Sequence, residues 1–182
     1  MKLTRKFLAC FVISTAIFLN GTVAHAAADT VNGSNCFAAN LAQASELQWN
    51  QARVLNPSDN LFSRFVVCNI STGQQFIRDG ASLQLTTVES GSVSAFFSDD
   101  SDPGAEVNCV IRQISSSQTS NAGVDQVAVD IEAPTSLPGT ASGSFSAIDG
   151  IDVLLGSSVT FTCRLDPGTG IQHIQVNHTL PS

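Results

Sequence analysis

Four cysteines set among short apolar runs constrain this chain more than any other feature it carries. They are Cys36, Cys68, Cys109 and Cys163. Three of them sit inside stretches that alternate apolar and polar residues, as in Val107-Asn108-Cys109-Val110-Ile111 and Val159-Thr160-Phe161-Thr162-Cys163. Alternation with a period of two is the signature of a half-buried strand. Cysteine on the apolar parity points into the core, where a neighbouring strand can supply a second sulfur.

Whether those sulfurs join depends on the compartment, and the first 26 residues address that. Lys2, Arg5 and Lys6 make a basic start, residues 7–19 are an apolar run, and Ala24-His25-Ala26 is a small-x-small cleavage site. This is the pattern of a secretory leader, so the mature chain is expected to begin near Ala27. The run is too short for a membrane span, which needs roughly 20 apolar residues. Leu8-Ala9-Cys10 resembles a lipidation motif, but most of the apolar run follows Cys10 instead of preceding it. Residues 27–182 are expected to form one soluble domain, secreted or periplasmic.

In an oxidising compartment an even count of four cysteines reads as two disulfides. Three connectivities exist. The strand pattern favours Cys109 with Cys163 in one core, and Cys36 with its neighbour in sequence, Cys68. Each such link stabilises by roughly 3 to 5 kcal/mol in the chain-entropy account. A zinc knuckle or a redox dithiol would want C-x-x-C spacing, which is absent.

Removal of the leader leaves five basic residues, all Arg, against 15 acidic ones, a formal charge of −10 with no Lys. Such a chain repels phosphate backbones and anionic lipid surfaces, which argues against nucleic acid or a membrane surface as partner.

From residue 47 onward the pattern is β. Strands are expected at 47–55, 61–70, 81–88, 92–97, 106–114, 124–131, 144–148, 157–165 and 171–178. Turn chemistry punctuates them, as in Asn56-Pro57-Ser58-Asp59-Asn60 and Asp166-Pro167-Gly168. Residues 36–43, rich in Ala, are the one plausible helical stretch and are expected to be marginal or absent as a helix, and residues 115–123 and 134–143 read as polar loops. About nine short strands without helix-length connections make an antiparallel β-sandwich or jelly roll.

Candidate chemistry is sparse. Asp99, Asp100, Asp102 and Glu106 place four carboxylates near a Pro-Gly turn and are the calcium candidate. The D-x-[DN]-x-[DN]-G frame is not met, and Asp and Ser bond their own backbone in turns, so a solvated loop is the expectation. His173 and His178 are five apart and would face opposite sides of a strand. No G-x-S-x-G occurs. Asp130 and Glu132 share the polar face of one strand, opposite Val129 and Ile131, the mark of solvent exposure and not of a paired-acid active site. Gly143-Ser144-Phe145-Ser146 reads as linker. Trp49, flanked by Gln48 and Asn50, is the sugar-stacking candidate, although a single Trp and no Tyr make a poor platform. The eight Phe after the leader sit in apolar contexts and are assigned to the core. No cofactor or catalytic residue is expected, and the role is binding or structural, with a glycan or an envelope protein as partner. A carbohydrate-binding module and a secreted hydrolase are the alternatives.

The order of these features resembles a family. A leader and early Cys are followed by Ala52-Arg53-Val54-Leu55-Asn56-Pro57-Ser58 and a Cys-bearing strand, Phe65-Val66-Val67-Cys68-Asn69-Ile70. A third Cys lies mid-strand, and a fourth precedes Asp166-Pro167-Gly168 and a last strand with Ile171, Ile174 and Val176. This is similar to exported four-cysteine proteobacterial β-sandwich proteins. Those carry V-C-P and C-x-L-P where this chain has Asn69 and Asp166. The resemblance implies a β-sandwich and pairing of the first Cys with the second and the third with the fourth. It implies no activity.

Overall fold

A computed structural model describes residues 25–70, 86–114, 126–146, 152–153 and 158–180. The basic and apolar parts of the leader, the polar bridge 115–123, Phe76 and most of the expected strand 81–88 lie outside the described residues.

The described chain is an antiparallel β-sandwich. Its strands are β1 (His25–Asn32), β2 (Phe37–Ala38), β3 (Gln48–Trp49), β4 (Val54–Leu55), β5 (Arg64–Ile70), β6 (Thr86–Phe97), β7 (Glu106–Ile114), β8 (Gln126–Glu132), β9 (Gly139–Ser146), β10 (Asp152–Val153), β11 (Ser158–Leu165) and β12 (Thr169–Leu180). One sheet runs β2-β5-β11-β7-β8. The other is centred on β12 and β6, with β1, β4 and β3 on the β12 side and β9 and β10 on the β6 side.

The core forms between the sheets because each long strand alternates. Val66, Cys68 and Ile70 of β5 and Val107, Cys109 and Ile111 of β7 are buried, as are Val93, Ala95 and Phe97 of β6. Phe145 of β9 meets Phe161 of β11 across the interlayer, with ring centroids 5.9 Å apart and planes tilted by 56°. Burying each such side chain contributes roughly 1.5 to 3 kcal/mol. The disulfides join Cys36 to Cys68 and Cys109 to Cys163. Cys109 and Cys163 are direct cross-strand partners in the β7–β11 ladder.

Several local readings of the sequence are corrected. The expected strand 47–55 is a hairpin of β3 and β4, since Asn50 Oδ1 accepts the backbone N–H groups of Ala52 and Arg53 and turns the chain. The described end of the expected strand 81–88 and the expected strand 92–97 belong to one strand, β6, running through Gly91. Gly91 pairs with Phe145, and a Cβ there would collide with that ring. Glycine marks the place an aromatic covers, not a turn. The supposed loop 134–143 contributes β9 from Gly139 onward, which runs on into the expected strand 144–148 as far as Ser146, so Gly143 to Ser146 is strand and not linker. Gly143 lacks a side chain because Val129 and Ile131 pack where its Cβ would stand. The stretch 36–43 forms no α-helix: it is β2 followed by a 3-10 segment, Leu41–Glu46, in which Asn40 Oδ1 accepts from Ala42 N at 2.9 Å.

Candidate functional site

The acidic loop between β6 and β7 is built as a structural turn. Ser98 N donates to Gly168 O (2.9 Å), and the Ser101 hydroxyl donates to the same carbonyl (2.8 Å), tying this loop to the β11–β12 turn. Asp102 Oδ1 accepts from Gly104 N at 3.0 Å. Asp99 and Asp100 are exposed, while Glu106 lies 3.7 Å from Arg164 and accepts from Asn108. Among the described residues, no three His, Cys, Asp or Glu side chains group so as to hold a metal ion. The acids of β8 stand exposed on the outer face, where Asp130 accepts from Asn108 Nδ2 at 2.8 Å.

Trp49 is half-exposed, and its indole N–H donates to the carbonyl of Cys36 at 3.1 Å. The ring therefore steadies the first disulfide. Asn50, expected beside it as a sugar-binding amide, has its carbonyl oxygen occupied by the β3–β4 turn.

The Phe residues divide in a way that local apolar context did not reveal. Phe97, Phe145 and Phe161 are core, but Phe37 is 49% exposed, Phe62 69% and Phe65 44%. Leu41 and Leu61 are almost fully exposed. These five side chains lie in two segments that β2 and β5 bring together. Phe37 pairs with Val67, and Ala39 N donates to Phe65 O at 2.9 Å. A signal for two of them was available. Cys36 and Cys68 must point inward to be joined, so Phe37 and Phe65 fall on the opposite, outward parity. Glu46 and the mostly buried Arg64 form an ion pair beneath this edge.

The outer face of the larger sheet has a different character. Register places Ser144, Ser92, Gln175 and Thr30 in one row across β9, β6, β12 and β1. The next row is Ser142, Ser94, His173 and Asn32, and the preceding one is Ser146, Ser90, Asn177 and Ala28. The inward neighbours Val93, Ile174 and Val176 are fully buried, which confirms the parity. A bulge between Ile171 and His173 leaves Gln172 on the same outer side, where it accepts from the Ser94 hydroxyl. Asn177 accepts from Gln175 Nε2 and donates to Ser90 Oγ, both at 3.0 Å. None of these positions is Asp, Glu, Lys or Arg. At the end of the face the Arg53 guanidinium lies 3.6 Å from the centroid of Phe96 and covers that ring. His173 belongs to this face. The side chain of His178 lies outside the described residues.

Among the described residues no helix is long and apolar enough to cross a membrane. No protein-family model matches the chain, and no curated protein matches it. Among solved structures, a match is TmCBM61 in complex with beta-1,4-galactotriose, at a TM-score of 0.37 and 10% identity, over 88% of this chain and 90% of that one.

Proposed function

We propose that this chain is an exported, non-catalytic binding domain that acts in the periplasm, at the envelope or outside the cell. It stands with the exported four-cysteine bacterial proteins it resembles, and its β2–β5 edge receives an envelope protein. The observation that carries this reading is the exposure of Phe37, Leu41, Leu61, Phe62 and Phe65, each 44% or more, on the two segments that β2 and β5 join. Large apolar side chains gathered at one edge mark an interaction surface, because leaving them in water forgoes the free energy their burial would supply. Two disulfides suit an oxidising compartment. The acids Asp130 and Glu132 stand on an open strand face, an arrangement that favours contact over turnover.

The test places a photo-crosslinking residue at position 65, and separately at position 140 on the other sheet, in cells that export the protein. A discrete protein adduct from position 65 and none from 140 is the expected result. Absence of any adduct from positions 37, 62 and 65, or turnover of an ester, glycoside or peptide substrate, would overturn the reading.

A further inference from the structure

We infer that the outer face of the larger sheet is a second binding site, and that its ligand is an uncharged, extended polysaccharide. This rests on the chain being a binding domain, but on different residues from the apolar edge.

The chemistry of the face selects the ligand class. In a chain with 15 acidic residues, three consecutive rows spanning four strands carry no carboxylate and no Lys or Arg. Within those rows a polyanion meets no Lys or Arg and a polycation no carboxylate, and the Arg53 guanidinium at the end of the face is laid on Phe96. Apart from Ala28, His173 and Ser94, which is buried and bonded to Gln172, hydroxyls and amides are what remain, and each can donate and accept. Sugar hydroxyls have the same dual capacity. The chain from Gln175 through Asn177 to Ser90 orients the amides before any ligand arrives, which lowers the ordering cost of binding.

The geometry selects an extended polymer over a small sugar. The aromatic nearest the grid, Phe96, has a ring face covered by Arg53, so stacking is weakened. Recognition then depends on hydrogen bonds, each of which replaces one to water and contributes little alone. Four strands about 4.8 Å apart, with outward residues repeating about every 6.8 Å along each strand, make a regularly spaced array. A polymer with regularly repeated hydroxyls can engage many such points at once, whereas a monosaccharide spans one or two.

The test uses the mature chain and insoluble probes: microcrystalline cellulose, xylan, mannan and galactan, with polygalacturonate and chitosan as anionic and cationic controls. Retention on at least one neutral polymer, not competed by millimolar monosaccharide, is expected. The double variant Ser144→Glu with Gln175→Glu should lose at least tenfold in affinity while keeping its thermal midpoint. Ala128→Glu, which adds charge to the exposed face of the other sheet, should bind like the parent. Retention on no neutral polymer overturns the assignment, as does a double variant that binds normally or loss on Trp49→Ala instead. Should the position-65 adduct persist while every neutral polymer fails, this site falls and the binding-domain reading stands. Loss of both removes both.

Discussion

Phe145 and Phe161 come from different sheets and meet in the interlayer, their ring centroids 5.9 Å apart. Phe145 also lies over Gly91, its partner on β6, so one ring fills the gap a glycine leaves and touches the opposite layer. Phe161 is fully buried in the central strand of the smaller sheet. Phe161→Ala removes the ring from a site with no room to collapse, because rigid strands flank it on both sides. The expected loss is about 3 to 5 kcal/mol by denaturant titration. Phe161→Leu should recover most of it. A loss below 1 kcal/mol in the Ala variant would mean the sheets are not held apart by this pair.

Removing the disulfides should destabilise unequally. Cys36 and Cys68 are 32 residues apart, Cys109 and Cys163 54. In the chain-entropy account these closures are worth about 3.7 and about 4.2 kcal/mol. Paired Cys→Ala variants, compared by guanidinium denaturation, should rank in that order. The Cys36–Cys68 pair adds a local effect, since Trp49 bonds the Cys36 carbonyl and should change its fluorescence when that link is lost.

Asn56 is completely buried and donates its side-chain amide to the carbonyls of Phe62 (3.1 Å) and Leu165 (2.9 Å). Its backbone bridges Thr169 and Gly168 as well. Asn56→Ala removes the side-chain donor from the buried Leu165 carbonyl, while the Phe62 carbonyl keeps Arg64 Nη1, at a cost of about 1 to 3 kcal/mol. Asn56→Asp should be worse, because a carboxylate cannot donate to either. Thermal melts of both variants check this order.

Gly168 has φ +80° in the turn Asp166-Pro167-Gly168-Thr169, closed by Thr169 N to Asp166 O at 3.0 Å. Proline second and a positive-φ glycine third fit a type II turn. A Cβ there would sit 2.9 Å from Ser101 Cα. Gly168→Ala should therefore destabilise by more than about 1 kcal/mol, through backbone strain and through pushing the acidic loop away. Hydrogen exchange at Ser98 N, which bonds Gly168 O, should accelerate in that variant.

The residue pattern alone determined the local parts of this fold. Alternation around Cys68, Cys109 and Cys163 placed strands β5, β7 and β11, since side-chain parity is a property of the backbone and needs no partner. Asp166-Pro167-Gly168 declared its turn for the same reason, because proline and glycine restrict φ wherever they occur. Parity about the cysteines also held the outward directions of Phe37 and Phe65, although apolar context obscured them.

Only the tertiary structure decided the rest. Gly91 and Gly143 look like turn and loop until Phe145, Val129 and Ile131 are seen occupying the space their missing side chains leave. The grid without Asp, Glu, Lys or Arg is invisible in sequence because its rows run across β9, β6, β12 and β1, segments far apart in the chain. Register between distant strands depends on how two layers share one core, and no local stretch of chain contains that information.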